Sequence, residues 1–331
     1  MGTPDRGFWA SRVYVGILIW ALIVPLGWIV IGSSTPALAF SFETASIFFA
    51  VLAFFTAWHT YGYSRSSYLL FIGVTQLTVA LLDSFSLISS PVLRLSIELG
   101  IRHCVQFWAV ARVIHAFSMF LAPKYARLRR PSTRMLAASA FFAAALVAAV
   151  MWLPGFPELA TADGALTSDM VATNYLVLGV LAVSVIGQTL SDVRDRLVRE
   201  LMTASLAVAV VSQAAFTIAG PGVNYMTTGV GLLGHITKAV SYWLVYEAVV
   251  VGGYEHPLAR LRDGLKHVRA TRRVTLWSIG DGVITTNKDG KVTLLNPEAS
   301  RITGWTEHDA LGVDIDSVFR LSPMGTGSSG E

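Results

Sequence analysis

Long apolar runs separated by short polar stretches occupy the chain up to about residue 251, and a more polar pattern follows. A membrane-spanning helix needs about 20 mostly apolar residues. Eight segments satisfy this: 13–32, 42–62, 67–89, 101–122, 134–154, 170–190, 200–220 and 227–251. The first has the flanks of a signal peptide, with Arg6 and Arg12 before it and Ala37-Leu38-Ala39 after it. Its apolar run exceeds the ~7–15 residues of a signal core, so a helix is the expectation. Beyond the eighth run, Leu258, Leu261, Leu265 and Val268 recur at helical spacing among charged residues. This predicts an amphipathic helix over 256–273, which either pairs with a second copy or packs on its own chain.

The polar tail carries different signals. Val283 to Thr286 is β-branched and reads as a strand, Asn287-Lys288-Asp289-Gly290 as a turn, and Lys291 to Leu295 as the return strand. Asn296 is a good N-cap, Pro297 suits the first helical position, and Glu298 complements the helix dipole. Gly304 ends that helix, and Thr306 with Asp309 caps another. Gly325 to Gly330 reads as linker.

Composition agrees with a membrane protein. The chain is 53% hydrophobic and 14% charged, with mean hydropathy +0.58, where a soluble domain holds nearer a quarter charged residues. The net charge of +4 is no nucleic-acid signal, because Lys and Arg cluster in loops. Lys124, Arg127, Arg129, Arg130 and Arg134 follow the fourth run, Arg194, Arg196 and Arg199 the sixth, and Arg260, Arg262, Lys266 and Arg269 the eighth. The alternate loops near 33–41, 155–169 and 221–226 hold neither residue. The positive-inside rule then puts both termini in the cytoplasm, with Arg94 and Arg102 the weak point. The single cysteine, Cys104, excludes an intramolecular disulfide and any CxxC motif.

An ionisable group near the bilayer centre costs at least ~2.5–3.5 kcal/mol, so each implies a partner or a wet cavity. The candidates for a polar pocket are Glu43, Asp83, His103, Arg112, His115, Gln213, His235 and Lys238. At about 1.5 Å of rise per residue, Asp83 lies about 9 Å from the outer end of its helix, and Gln213 and His235 about 10–12 Å. Arg112 and Lys238 come near the middle, so most of the set falls in the outer half. His235, Lys238 and Tyr242 share a face at i, i+3 and i+7, as do Gln76 with Asp83 and Arg112 with His115. The plainer alternative is that Asp83 and Glu43 merely neutralise Arg112 and Lys238 in a packed core. A haem would need one axial ligand or two facing across the bundle; His103 and His235 lie at comparable depth and could meet, although the spacing does not demand it. No HExxH pairing occurs, and no cofactor is assigned.

The stretch "SIGDGVITTNKDGKVTLLNPEASRITGW" resembles the first half of a PAS domain, over about 274–320. A PAS fold has roughly 100 residues and three further strands, so the resemblance implies a fragment of a longer sensor or a truncated one. A flavin-adduct PAS is disfavoured, because the tail has no cysteine. In the apolar part, "FETASIFFAVLAFFTAW" at 42, "YLLFIGVTQLTVALLDS" at 68, "QFWAVARVIHAFSMFLAP" at 106 and "LLGHITKAVSYWLVYEAVV" at 232 occur in one order. "GALTSD" at 164 and "SQAAFT" at 212 fit more loosely. Together they resemble a membrane-associated sensor domain of the third described (MASE) class, over about 40–260. The resemblance carries Glu43, Asp83, Arg112, His235 and Lys238 onto polar positions of that family. It also shows departures: Ser86 stands in place of a histidine, His115 and Gln213 in place of acids, and Asn174 in place of a glutamate.

The expectation is therefore an all-α polytopic bundle of about eight transmembrane helices, with a short α+β segment forming a partial PAS domain. The expected parts are 1–40 (tail, first helix and outer loop), 41–255 (sensor bundle), 256–273 (amphipathic signalling helix), 274–322 (partial PAS) and 323–331 (disordered tail). The resemblance implies an input module in a bacterial inner membrane, sensing an outside or membrane-borne cue. This chain is then no enzyme, although a longer parent could carry a histidine kinase or diguanylate cyclase. Expected partners are the lipid bilayer, a second copy through 256–273, and an output domain or kinase, with no nucleic acid. The competing class is a secondary transporter with Asp83, Arg112 and Lys238 at a midplane site, but no internal repeat supports it.

Overall fold

The computed structural model describes residues 35–90, 100–126, 133–153, 155–162, 164–218, 222, 228–259, 277 and 280–320. The predicted first span, 13–32, lies outside them, as does most of the 256–273 helix beyond its first turn. Seven long helices follow the remaining apolar runs: α1 (Thr35–Ser64), α2 (Ser67–Ile88), α3 (Ile101–Tyr125), α4 (Thr133–Trp152), α5 (Ser168–Thr189), α6 (Arg196–Ile218) and α7 (Gly229–Val250). The helix α1 begins within the stretch expected as a loop near 33–41, and Pro36 suits a first turn.

Short side chains start these helices by accepting orphan backbone N–H groups. Ser66 accepts from Leu69 ahead of α2, Thr167 from Met170 ahead of α5, and Thr228 from Gly231 ahead of α7. Among the described residues, α1, α2, α3, α5 and α6 are long and apolar enough to cross a membrane, so five spans rather than eight meet that criterion. The apolar stretch of α4, Phe141–Trp152, is shorter. The helix α7 is long enough, but its apolar run is diluted by His235, Lys238 and Glu247.

Packing closes a cycle: α1 on α2, α2 on α3, α3 on α5, α5 on α6, α6 on α7, and α7 back on α1. The helix α4 sits outside this cycle, against α2 and α3. Close approach depends on small residues. A Cβ on Gly73 of α2 would stand 2.6 Å from that of Ala57 on α1, and one on Gly234 of α7 would stand 2.7 Å from the Phe216 ring on α6. The distribution of polarity reverses that of a soluble protein. Phe141, Phe142, Leu176, Ile186 and Ile218 face outward, whereas Glu43, Asp83, Arg112 and Lys238 are buried. An apolar exterior around polar contacts is what lipid as solvent demands.

The chain divides into two compact units, Met1–Pro257 and Leu258–Glu331. In the second, β1 (Ile284–Thr286) and β2 (Val292–Leu295) pair antiparallel, with a bulge between Thr285 and Thr286. The Asn287 side chain accepts from the N–H groups of Asp289 and Lys291, and Gly290 takes φ 75°, closing the predicted turn. Three short helices follow: α8 (Pro297–Thr303), α9 (Glu307–Ala310) and α10 (Ile315–Val318). Val292 and Leu295 bury themselves against Ala299, Ala310 and Val318, so the helices cover one face of the hairpin.

Asn296 organises this unit. Its Oδ1 accepts from Ala299 N and Val283 N, both at 2.8 Å, while its Nδ2 donates to the Asp281 carbonyl at 2.9 Å. Gly304 ends α8 at φ 77°, and Thr306 caps α9 through Asp309 N. Replacing Asn296 with Ala leaves the buried Ala299 N–H and the half-buried Val283 N–H without their acceptor. It should destabilise the second unit by about 1–3 kcal/mol. Hydrogen exchange on the full chain should show faster exchange across 283–303, with the bundle unchanged.

Candidate functional site

Helical spacing aligns the site residues before any tertiary contact forms. On α3, Trp108, Arg112 and His115 follow i, i+4 and i+7, and on α7, His235, Lys238 and Tyr242 follow i, i+3 and i+7. The cycle of helices turns these two faces toward Glu43 on α1 and Asp83 on α2. Arg112 Nη2 donates to both Asp83 oxygens, at 2.7 and 3.1 Å, and to the Tyr242 hydroxyl at 2.8 Å. Lys238 Nζ bridges the two carboxylates, bonding Glu43 Oε2 and lying 3.1 Å from Asp83 Oδ2. Glu43 Oε1 also meets His235 Nδ1 at 2.8 Å and accepts from Trp108 Nε1 at 3.3 Å.

Burial makes this pairing obligatory. Lys238 and Asp83 are each 2% exposed, Arg112 6% and Glu43 7%. Two carboxylates face one guanidinium and one ammonium, so the formal charges of these four groups cancel. The Tyr242 ring adds cation–π contact, 5.4 Å from the Arg112 guanidinium and 5.7 Å from the Lys238 ammonium. A neutral, multiply hydrogen-bonded cluster is the form in which buried ions become tolerable.

Of the eight predicted residues, Glu43, Asp83, Arg112, His235 and Lys238 thus converge directly. His115 joins by stacking on Tyr242, with centroids 5.0 Å apart and planes 13° apart. Gln213 stands one step away, its Nε2 donating to Asn174 Oδ1 at 2.9 Å between α6 and α5. His103 takes no part in the cluster's hydrogen bonds or ion pairs. It sits in the first turn of α3, and its Nδ1 has no hydrogen-bond partner among the described residues. Ser86, where the resemblance led to a histidine, donates to the Cys104 carbonyl at 2.8 Å. Trp108 was absent from the sequence candidates. Its place four residues before Arg112, on one helical face, is the signal that could have found it.

Two cavities of about 20 Å³ flank the cluster. One lies toward the start of α1 and the end of α2, with Glu43, Asp83, His235 and Ser86 in its wall. The other lies deeper, bounded by Arg112, His115, Lys238 and Tyr242 and by residues of α5 and α6. Among the described residues, no group of three or more His, Cys, Asp or Glu could hold a metal ion.

Residues 33–257, well over half the chain, match the membrane-associated sensor domain MASE3. The chain belongs to the MASE3 family. Residues 270–318 match the PAS fold, so a PAS segment follows the MASE3 domain. Both matched regions are sensor domains rather than catalytic ones. Over 63 residues the chain is 33% identical to the probable diguanylate cyclase DgcE of Escherichia coli strain K12, which covers 19% of this chain and 6% of that protein. The chain thus spans a small part of that relative's length. No solved structure matches the chain.

The neutrality of the MASE3 cluster can be tested directly. Lys238→Met leaves two buried carboxylates facing one strong cation and should destabilise the bundle by roughly 3–5 kcal/mol. Adding Glu43→Gln removes the excess charge and should recover most of that loss. Thermal unfolding of both variants in lipid nanodiscs measures this, and strictly additive losses would contradict the pairing.

Proposed function

We propose that the chain is the sensory input of a bacterial signalling protein, in which the ion cluster of the MASE3 bundle is the element that a cue biases. The observation that carries this reading is Lys238 shared between Glu43 and Asp83 on different helices. A shared cation gives the bundle two ways to distribute its pairing, tighter to α1 or tighter to α2. A cue acts by binding the two packings unequally. The order of a membrane sensor domain followed by a PAS segment supports signalling, and nothing in the packing or the family supports the transporter reading. Glu43, Asp83, Arg112, His235 and Lys238 are the proposed input residues, with His115 and Gln213 across the deeper cavity.

The relay follows the exit of α7. There the helix widens into a π turn, Val251–Glu255, of the kind often found at functional positions. Gly252 lies so near Leu69 and Val198 that a Cβ would stand 2.8–2.9 Å from their side chains. Directly beyond, His256 pairs with Asp195, whose other oxygen accepts from Leu197 N at 3.1 Å at the start of α6. One carboxylate therefore ties the departing helix to the base of α6. The 256–273 helix would carry movement onward to the PAS segment, pairing with a second copy. In this reading the chain spans an inner membrane eight times with both termini cytoplasmic, as the loop charges suggest, and a cyclase or kinase output lies downstream. The similarity to a probable diguanylate cyclase favours the cyclase.

Fused to a reporter diguanylate cyclase in bacterial membranes, the chain should give an output that Asp83→Asn changes roughly fivefold or more, the lower end of a 1–3 kcal/mol coupling. Unchanged output at equal membrane abundance would sink the sensor reading. Asp195→Asn keeps the cap but loses the ion pair, and it should make the reporter indifferent to Asp83→Asn. If Asp83→Asn acts as strongly in the Asp195→Asn background, the relay does not pass through His256.

A further inference from the structure

The helices α5 and α6 close the bundle but, among the described residues, give no charged residue to the cluster; α6 meets it through the Phe216 ring against Trp108 and His235, and elsewhere both face it across the deeper cavity. Val177 of α5 and Ala209 and Ser212 of α6 form that wall, with Arg112, His115 and Tyr242 opposite. Two of the opposing side chains carry buried polar atoms with no hydrogen-bond partner among the described residues: Arg112 Nε and His115 Nδ1. Arg112 is 6% exposed and His115 4%, so bulk water does not serve either. An unsatisfied buried donor costs about 1–3 kcal/mol, and more when it is charged.

We propose that this cavity is a binding site for internal water, which bridges Arg112 Nε, His115 Nδ1 and the serine oxygens of the α6–α7 side. The size fits that ligand. A bound water needs about 10–15 Å³ of such volume and two to four polar partners, and the cavity offers about 20 Å³. The chemistry fits as well. Arg112 Nε can only donate, and a water oxygen accepts from it. The water's own protons then go to His115 Nδ1, in the tautomer protonated at Nε2, and to Ser212 or Ser241. Both serine hydroxyls already donate, Ser212 to the Gly234 carbonyl at 2.7 Å and Ser241 to the Ser205 carbonyl at 3.0 Å, so their lone pairs face the remaining need. The water is thus the polar link between the ion cluster and the α5–α6 wall. The site stands whether or not the bundle signals.

Brief X-ray radiolysis of the full chain in lipid nanodiscs, in water enriched in oxygen-18, tests this, because it labels side chains that touch bound water. Tyr242 should take up label despite being 2% exposed, while Phe49, buried to 0% away from the cavity, should not. Ala209→Val fills the space from the α6 side, and His115→Phe removes the acceptor. Each should abolish the Tyr242 label while leaving unfolding and elution behaviour normal. A Tyr242 label no greater than that of Phe49 in the unsubstituted chain would show the cavity dry and overturn the proposal. So would a label that persists in both folded variants.

Discussion

Charges placed among hydrocarbon must be matched, and much of the bundle's architecture follows from how Glu43, Asp83, Arg112 and Lys238 match one another. None can turn to solvent at their burial. Each carboxylate needs a cation from another helix, so α1, α2, α3 and α7 have to meet at one depth. Desolvation offsets much of the Coulombic gain of such buried pairs, whereas a charge left unmatched is costly, so packings that separate the partners are penalised. A slip of one residue along α7 would rotate Lys238 away from both partners by about 100°. The cluster therefore fixes the register of the helices as apolar packing alone could not.

The rest of the bundle serves that constraint. Gly73 and Gly234 bring the backbones of α2 and α7 close to their neighbours, short enough for the cluster's side chains to reach across. Tyr242 and Trp108 shield the ions with aromatic faces while giving polar tips to them, Tyr242 accepting from Arg112 and Trp108 donating to Glu43. The cluster's sharing is uneven, however. Lys238 serves two carboxylates while Arg112 serves one, and a cation divided between helices is the natural place for a small perturbation to be felt. The helix that carries Lys238 continues directly into a π turn at its C-terminal end.

The second unit obeys a different economy. It has a small apolar core of Val292, Leu295, Ala299, Ala310 and Val318, and hydrogen bonding concentrated in Asn296 joins the hairpin to the following helix. The cap on Ala299 N works over three residues and needs no distant partner, unlike the bonds to Val283 and Asp281. That is why the hairpin, the cap and the helix stop at Gly304 were all readable from residue types alone. The bulge at Thr285 and Thr286, the short helix α10 and the Asn296 bonds to Val283 and Asp281 escaped, since they reflect how separate segments fit together.

Local pattern determined a good deal of this protein: apolar runs marked the helices, and motif order marked a membrane sensor joined to a PAS segment. Spacing along single helices also placed His235 with Lys238 and Arg112 with His115, because a helix repeats every 3.6 residues whatever surrounds it. Which faces meet was decided only by the tertiary structure. The same candidate list contained His103, which stands apart, and omitted Trp108, which belongs. Depth along a helix follows from counting residues, but rotation about its axis and the choice of neighbours do not. The sequence therefore named the charges, and the closed cycle of helices decided that Lys238 would be shared, that Gln213 would turn to Asn174, and that a water-sized space would remain beside Arg112. Those outcomes depend on shape complementarity between segments far apart in the chain, which no local pattern records.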